Sequence, residues 1–223
     1  MELYIANKNY SSWSLRAWIL MRVLEIPFEE RQVFYGADNR EVFRKFSPTA
    51  LVPCLVDGDT TVWESLAIAE YLHEQYPKVW PHDHVARAYA RSCASEMHAG
   101  FTALRSICNM NCGIRVSLPS VSKSLQKDFN RLQSIFEEGI SRFGGPYLAG
   151  AHFTAVDAFF APIAFRQQTY GFTLGDVGDA YLRRLLGLQE MQQWYAAGLM
   201  ETQRSELHES SIVGTVTDDF RAV

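Results

Sequence analysis

Leu51-Val52-Pro53-Cys54-Leu55-Val56-Asp57-Gly58-Asp59-Thr60-Thr61-Val62-Trp63-Glu64-Ser65 is the stretch whose reading decides the fold. Pro53 stands among apolar residues where a strand should begin. Proline cannot donate a ladder hydrogen bond, so it belongs at a strand's first residue or edge. On the residues alone, the reading is a trans edge proline. A cis Val52–Pro53 bond would instead turn the Val52 backbone outward, with its N–H and C=O free to pair with an extended peptide. Asp57-Gly58 supplies the turn of a short hairpin. Glu64-Ser65 then opens a helix from Ser65 to Gln75, whose first N–H groups are free to bind an anion.

Upstream, Glu2-Leu3-Tyr4-Ile5-Ala6 alternates as a strand, and Asn7-Lys8-Asn9-Tyr10 is a loop. Ser11 and Ser12 precede a helix with Leu15, Trp18, Ile19 and Val23 on its apolar positions. The stretch from Phe28 to Val33 is a second strand, parallel to the first if the helix is a crossover. The stretch from Gly36 to Phe46 is a loop and short helix. The order is β-α-β-α-β-β-α, an α/β unit with a mixed sheet. Tyr76-Pro77-Lys78-Val79-Trp80-Pro81-His82 punctuates the chain, because two prolines stop the preceding helix and stiffen the linker. Beyond it the chain reads as all helical. One long stripe runs Ala90, Ala94, Met97, Phe101, Leu104, Cys108, and another runs Leu125, Phe129, Leu132, Phe136, Ile140. The stretch from Gly113 to Ser122 is a loop. Thr154-Ala155-Val156-Asp157 is a capping box before a mostly apolar helix from Ala155 to about Gln168. Two short helices come next, over 181–188 and 190–197. The tail from Ser205 onward is polar, and either wraps the surface or stays loose.

Composition narrows the function classes. The 223 residues carry a net charge of −4 and are 48% hydrophobic. There is no basic run of the kind nucleic acid requires. There is no apolar run long enough to span a bilayer and no charged-then-apolar leader, so the expectation is a cytoplasmic protein without a membrane segment. Four cysteines with no CxxC pair read as reduced and buried. Cys108 and Cys112, one helical turn apart, have no neighbouring ligand set for a metal.

The strand–hairpin–helix stretch with Val52-Pro53 and Glu64-Ser65 resembles the soluble glutathione S-transferase family. So do Ser11-Ser12-Trp13-Ser14-Leu15-Arg16 and Thr154-Ala155-Val156-Asp157, in the expected order over nearly the whole chain. The resemblance implies a thioredoxin-like domain over 1–77, a linker over 78–84 and an all-helical domain over 85–223. It implies glutathione as a consumed co-substrate, no metal, a homodimer, and attack of the glutathione thiolate on a small, largely apolar electrophile. The serine stretch is similar to the zeta-like Ser-Ser-Cys-x-x-Arg pattern. By that alignment Ser11 is the thiolate donor, with Ser12 assisting or next in line. Trp13 departs from the pattern at the cysteine, which weakens the case for zeta-type isomerisation. Tyr10 and Tyr4 are rival hydroxyls, Tyr4 reading as core. An ordinary N-cap also accounts for Ser11.

By the same resemblance, Glu64 faces the glutathione ammonium. Ser65 holds the γ-glutamyl carboxylate at the helix N-terminus, and Val52, before Pro53, pairs with the cysteinyl backbone. Glu64-Ser65 equally suits a plain helix start. Arg16 reads as supporting the fold. His98, Phe101, Arg105 and Asn111 would line the co-substrate pocket. His98 and Arg105 stand open between an acid-binding pair and solvated surface. A glutathione-dependent isomerase or peroxidase, or a non-catalytic binding module, are the alternative functions.

Overall fold

The computed structural model describes residues 1–36 and 39–222. Ala37 and Asp38, inside the stretch read as loop and short helix, lie outside the described residues, as does Val223. Strand β1 (Glu2–Ile5) leads through α1 (Ser12–Val23) to β2 (Glu29–Gln32), α2 (Asn39–Arg44), β3 (Cys54–Asp57), β4 (Thr60–Trp63) and α3 (Ser65–Gln75). The sheet order is β2-β1-β3-β4. β1 pairs parallel with β2 and antiparallel with β3, and β3 pairs antiparallel with β4. This is the thioredoxin-like mixed sheet. Leu3 and Leu55 face one another in register, and both are buried. Val52–Pro53 is cis, which corrects the trans reading of those residues alone.

A single 3-10 turn (Pro77–Val79) separates these elements from α4 (His84–Ala99), α5 (Thr102–Ile107), β5 (Ile114–Ser117), α6 (Lys123–Phe143), α7 (Ala155–Tyr170), α8 (Gly175–Leu186), α9 (Gln189–Met200), α10 (Glu206–Ser210) and β6 (Thr215–Asp219). Two expectations change here. The apolar stripe from Ala90 to Cys108 is broken at Gly100–Phe101, where Phe101 takes φ 60° and α4 gives way to α5. A Cβ at Gly100 would lie 2.9 Å from the Glu96 carbonyl oxygen. The second region is also not all helical. Its tail returns as β6 to pair antiparallel with β5, within the segment expected to be loop.

Helix α7 is central and almost wholly buried, packed against α1, α4 and α8. An apolar helix covered all round is a core helix. Its start is tied by Asp157, fully buried, whose carboxylate accepts from Leu148 N at 3.0 Å, Thr154 N at 2.9 Å and the Tyr181 hydroxyl at 3.0 Å. The tail is tied as firmly. Glu201 accepts the N–H groups of Lys8 and Asn9 at 2.6 and 3.1 Å. At Gly198 of α9 a Cβ would stand 3.2 Å from Asn9 N, so glycine lets the helix rest on the loop that leads to Ser11. These contacts bring residues beyond 200 over the C-terminal end of β1. No helix among the described residues is long and apolar enough to cross a membrane.

Candidate functional site

The loop after β1, the residue before β3 and the start of α3 meet at one edge of the sheet. Two cavities open there. The first, about 390 Å³, is lined by Val52, Pro53, Glu64 and His98. The second, about 310 Å³, is lined by Ser11, Ser12, Arg105, Arg166 and His208. Trp13 and Tyr35 line both and form the wall between them. A roomier groove of about 570 Å³ lies elsewhere, between the end of α1 and the start of α7. It gathers Trp80, His82 and His152 but none of the serines, Glu64 or His98.

In the first cavity the groups are set for a zwitterionic, extended ligand. Val52 N–H and C=O have no partner among the described residues. Glu64 sits at φ 69°, a conformation that costs a non-glycine residue about 1–3 kcal/mol and that surrounding structure must enforce. Its carboxylate lies 3.6 Å from His98 Nε2. Behind it Ser65 is buried, and its hydroxyl has no hydrogen-bond partner among the described residues. An unpartnered buried hydroxyl at a helix N-terminus is a ready binding site for a carboxylate. Burial lowers the His98 pKa, with the positive Arg16 adding to the effect.

In the second cavity the serines differ. Ser11 is the N-cap of α1. Its hydroxyl donates to Ser14 Oγ at 2.7 Å, and its oxygen accepts from the Tyr35 hydroxyl at 3.3 Å. Ser12 Oγ accepts from Arg166 Nη2 at 3.3 Å, which leaves its own proton uncommitted. Arg166 is fully buried, and burial brings its pKa down to about 10. Tyr10 lines the same cavity but gives its proton to Glu209, and burial with that bond pushes its pKa up to about 12. Tyr4 lies on the sheet, stacked on Phe46 and bonded to Glu2.

The four residues expected around a co-substrate separate. His98 and Arg105 line different cavities and do not form one acid-binding pair. Arg105 stacks on Trp13, 4.9 Å from the ring centre, and donates to the carbonyls of Gly100 and Met97. Phe101 is buried in the hydrophobic core and lines neither cavity. Asn111 is also buried. Its Oδ1 accepts from Asn9 Nδ2 at 2.8 Å, and its Nδ2 reaches Glu209, so it locks the tail to the β1 loop. Arg16 lines neither cavity. It is buried, lies 4.3 Å over the Trp13 ring and donates to the Met97 carbonyl.

The lining residues that sequence reasoning missed include Tyr35, Arg166 and His208. Arg166 left a trace, the single cation in a mostly apolar helix. The tail that carries His208 left none. All four cysteines are free and buried. Burial pushes the Cys54 and Cys93 thiols up to about 11 and that of Cys108 to about 12, so none offers a ready thiolate. No group of three or more His, Cys, Asp or Glu side chains placed to hold a metal occurs among the described residues.

The family described as "Glutathione S-transferase, N-terminal domain" matches residues 10–75, which hold the serine pair, Val52-Pro53 and Glu64-Ser65. Glutathione S-transferase 1 of Dianthus caryophyllus is 25% identical over 197 residues, covering 82% of this chain and 87% of the relative. A zeta-class glutathione S-transferase of Euphorbia esula is 25% identical over 169 residues, 73% of this chain and 73% of its own. The crystal structure of a Burkholderia glutathione transferase homologue with bound glutathione superposes with a TM-score of 0.65 at 24% identity. It covers 88% of this chain and 96% of that one, and so shows the shared fold. The family match spans the serine pair, Val52-Pro53 and Glu64-Ser65, and the similarity to glutathione S-transferases extends along the helical region.

Proposed function

We propose that the protein is a glutathione transferase that binds glutathione in the first cavity and a small electrophile in the second. The observation that carries this reading is the buried, unpartnered Ser65 hydroxyl at the start of α3, beside Glu64. The γ-glutamyl carboxylate supplies its missing partner. The Glu64 carboxylate takes the ammonium group, and Val52, ahead of Pro53, pairs its free backbone groups with the cysteinyl residue. The thiol then lies at the Trp13–Tyr35 wall, within reach of Ser11 and Ser12. Of the two, Ser12 has the uncommitted proton and a buried guanidinium behind it. A hydroxyl donor and an adjacent cation both favour the thiolate, whose free thiol ionises near ~8.5. Holding thiolate and electrophile side by side supplies the proximity part of catalysis.

In this reading the glutathione-binding unit spans 1–77, the linker 78–84 and the helical unit 85–223. The protein works as a cytoplasmic homodimer, in keeping with the family it resembles. Arg105 and Arg166 in the second cavity favour one variant. Two cations there suit a co-substrate with an acidic group better than a wholly apolar one. That is compatible with a glutathione-dependent isomerase, which returns the glutathione. A thiol reductase is disfavoured, because no cysteine lies beside Ser11.

The test is an ultraviolet difference titration of bound glutathione, following thiolate absorbance against pH. A bound thiol that ionises well below ~8.5 supports the proposal. Binding with an unshifted thiol points to a binding module. Absence of binding removes the reading.

A further inference from the structure

The thiol proton needs a destination, and the second cavity offers one base. The hydroxyl proton of Tyr10 is held by Glu209, and that of Tyr35 is directed at Ser11 Oγ. Arg105 and Arg166 are cations with nothing to accept a proton. His98 lines the other cavity, against Glu64. The imidazole of His208, on α10, remains.

Its placement is built, not incidental. The ring stacks on Tyr10 at 5.0 Å and on Tyr35 at 4.8 Å between ring centres. Nδ1 is held by Ser205 Oγ at 2.8 Å. The backbone carbonyl of His208 accepts from Asn109 Nδ2 at 3.3 Å. Tyr35, on which the ring rests, reaches Ser11 Oγ at 3.3 Å. Aromatic stacking and the Ser205 contact hold the ring's orientation, and in the tautomer whose Nδ1–H donates to Ser205 Oγ the Nε2 lone pair is left for chemistry.

We infer that His208 is the proton acceptor for the glutathione thiol, so that the tail completes the site as a base. This rests on the proposed binding of glutathione in the adjoining cavity. The S–H bond breaks, the sulfur keeps the electron pair, and the Nε2 lone pair takes the proton, directly or through one water. The product is a thiolate–imidazolium pair of the kind that activates nucleophiles elsewhere. When the thiolate adds to an activated double bond, the imidazolium returns the proton to the adjacent carbon. When it displaces an anion, the proton leaves to solvent. Burial lowers the His208 pKa, so the ring is neutral and able to accept before glutathione arrives; the Glu209 carboxylate works the other way. Tyr10, Tyr35, Arg105, Arg166 and the Glu209–Arg221 pair are the titratable or charged groups around it.

The decisive measurement is a proton inventory on the full-length protein. Glutathione is titrated by calorimetry in buffers of different ionisation enthalpy, and thiolate absorbance is followed in parallel. The parent is expected to form thiolate at pH 7 without releasing a proton to the buffer. His208→Gln is expected to form it only at higher pH, with one proton released per thiolate. Its rate with chlorodinitrobenzene should fall by about 100-fold. In His208→Ala, added imidazoles should restore rate in order of their basicity, which lost stacking alone would not produce. One proton released per thiolate in the parent overturns the inference, and so does a His208→Gln variant with the parent's proton count. If that variant does not fold, the parent's count still decides. A parent that binds no glutathione overturns the proposed function, and this inference with it.

Discussion

Replacing Ser65 by alanine should make the protein more stable and worse at binding glutathione. The Ser65 hydroxyl is buried and unpartnered. A buried polar group left unsatisfied costs about 1–3 kcal/mol, so deleting it returns ~1 kcal/mol or more. Alanine is also a better helix former than serine, by about 0.5 kcal/mol. For a chain of this length, ~1.5 kcal/mol is worth about 3–6 °C in Tm. The loss on the ligand side is a hydrogen bond to a carboxylate, about 1.5–3 kcal/mol, or roughly 10–100-fold in Kd. The two effects cross. With glutathione at about 100 times the parent's Kd, the parent gains about 2.7 kcal/mol. A variant binding about 30-fold more weakly gains about 0.9 kcal/mol at the same concentration. Thermal unfolding should therefore rank Ser65→Ala above the parent without glutathione and below it with saturating glutathione. A less stable ligand-free variant would mean that the hydroxyl has a partner in the folded state. An equal shift on adding glutathione would mean that α3 does not hold the carboxylate.

Ser12→Ala should raise the pH at which bound glutathione ionises, because it removes the uncommitted proton beside Arg166. Ser11→Ala should chiefly cost the α1 cap, about 1 kcal/mol; the reverse order in a thiolate titration would return the donor role to Ser11. Asp157→Ala orphans three buried donors, so chemical denaturation should show a loss of ~3–5 kcal/mol rather than the ~1 kcal/mol of a lone cap, with thiol chemistry unchanged in the folded fraction. Burial raises the Asp157 carboxyl from 3.8 to about 6, so the folded state holds that proton more tightly than the unfolded chain. Its contribution to stability should fall as pH rises from about 4 to about 6 and stay level above. A parent-minus-Asp157→Asn stability difference that rises over that window would contradict this. Glu201→Gln should loosen the tail, because two backbone N–H groups lose a carboxylate acceptor. The expected readout is faster hydrogen exchange at Lys8 and Asn9, and unchanged exchange there would refute it.

The sequence by itself determined what depends on neighbours along the chain. Alternation in β1, the Asp57-Gly58 turn, the Glu64-Ser65 helix start and the Thr154–Asp157 box are local signals, and each element formed where its signal stood. They suffice for the mixed sheet, the central α7 and one wall of the first cavity. The tertiary structure decided the rest. Phe101 and Arg105 belong to one stripe in sequence, yet the break at Gly100–Phe101 sends Phe101 into the core and leaves Arg105 on a cavity. Asn111 looks like a pocket residue until Asn9, 102 positions away, claims its side chain. His208 reaches Tyr10 and Tyr35 only because Glu201 and the β5–β6 pairing fold the tail back across the molecule. Such partners lie far apart along the chain. Helical or strand periodicity records which side of an element is apolar, and carries no information about which distant element will cover it.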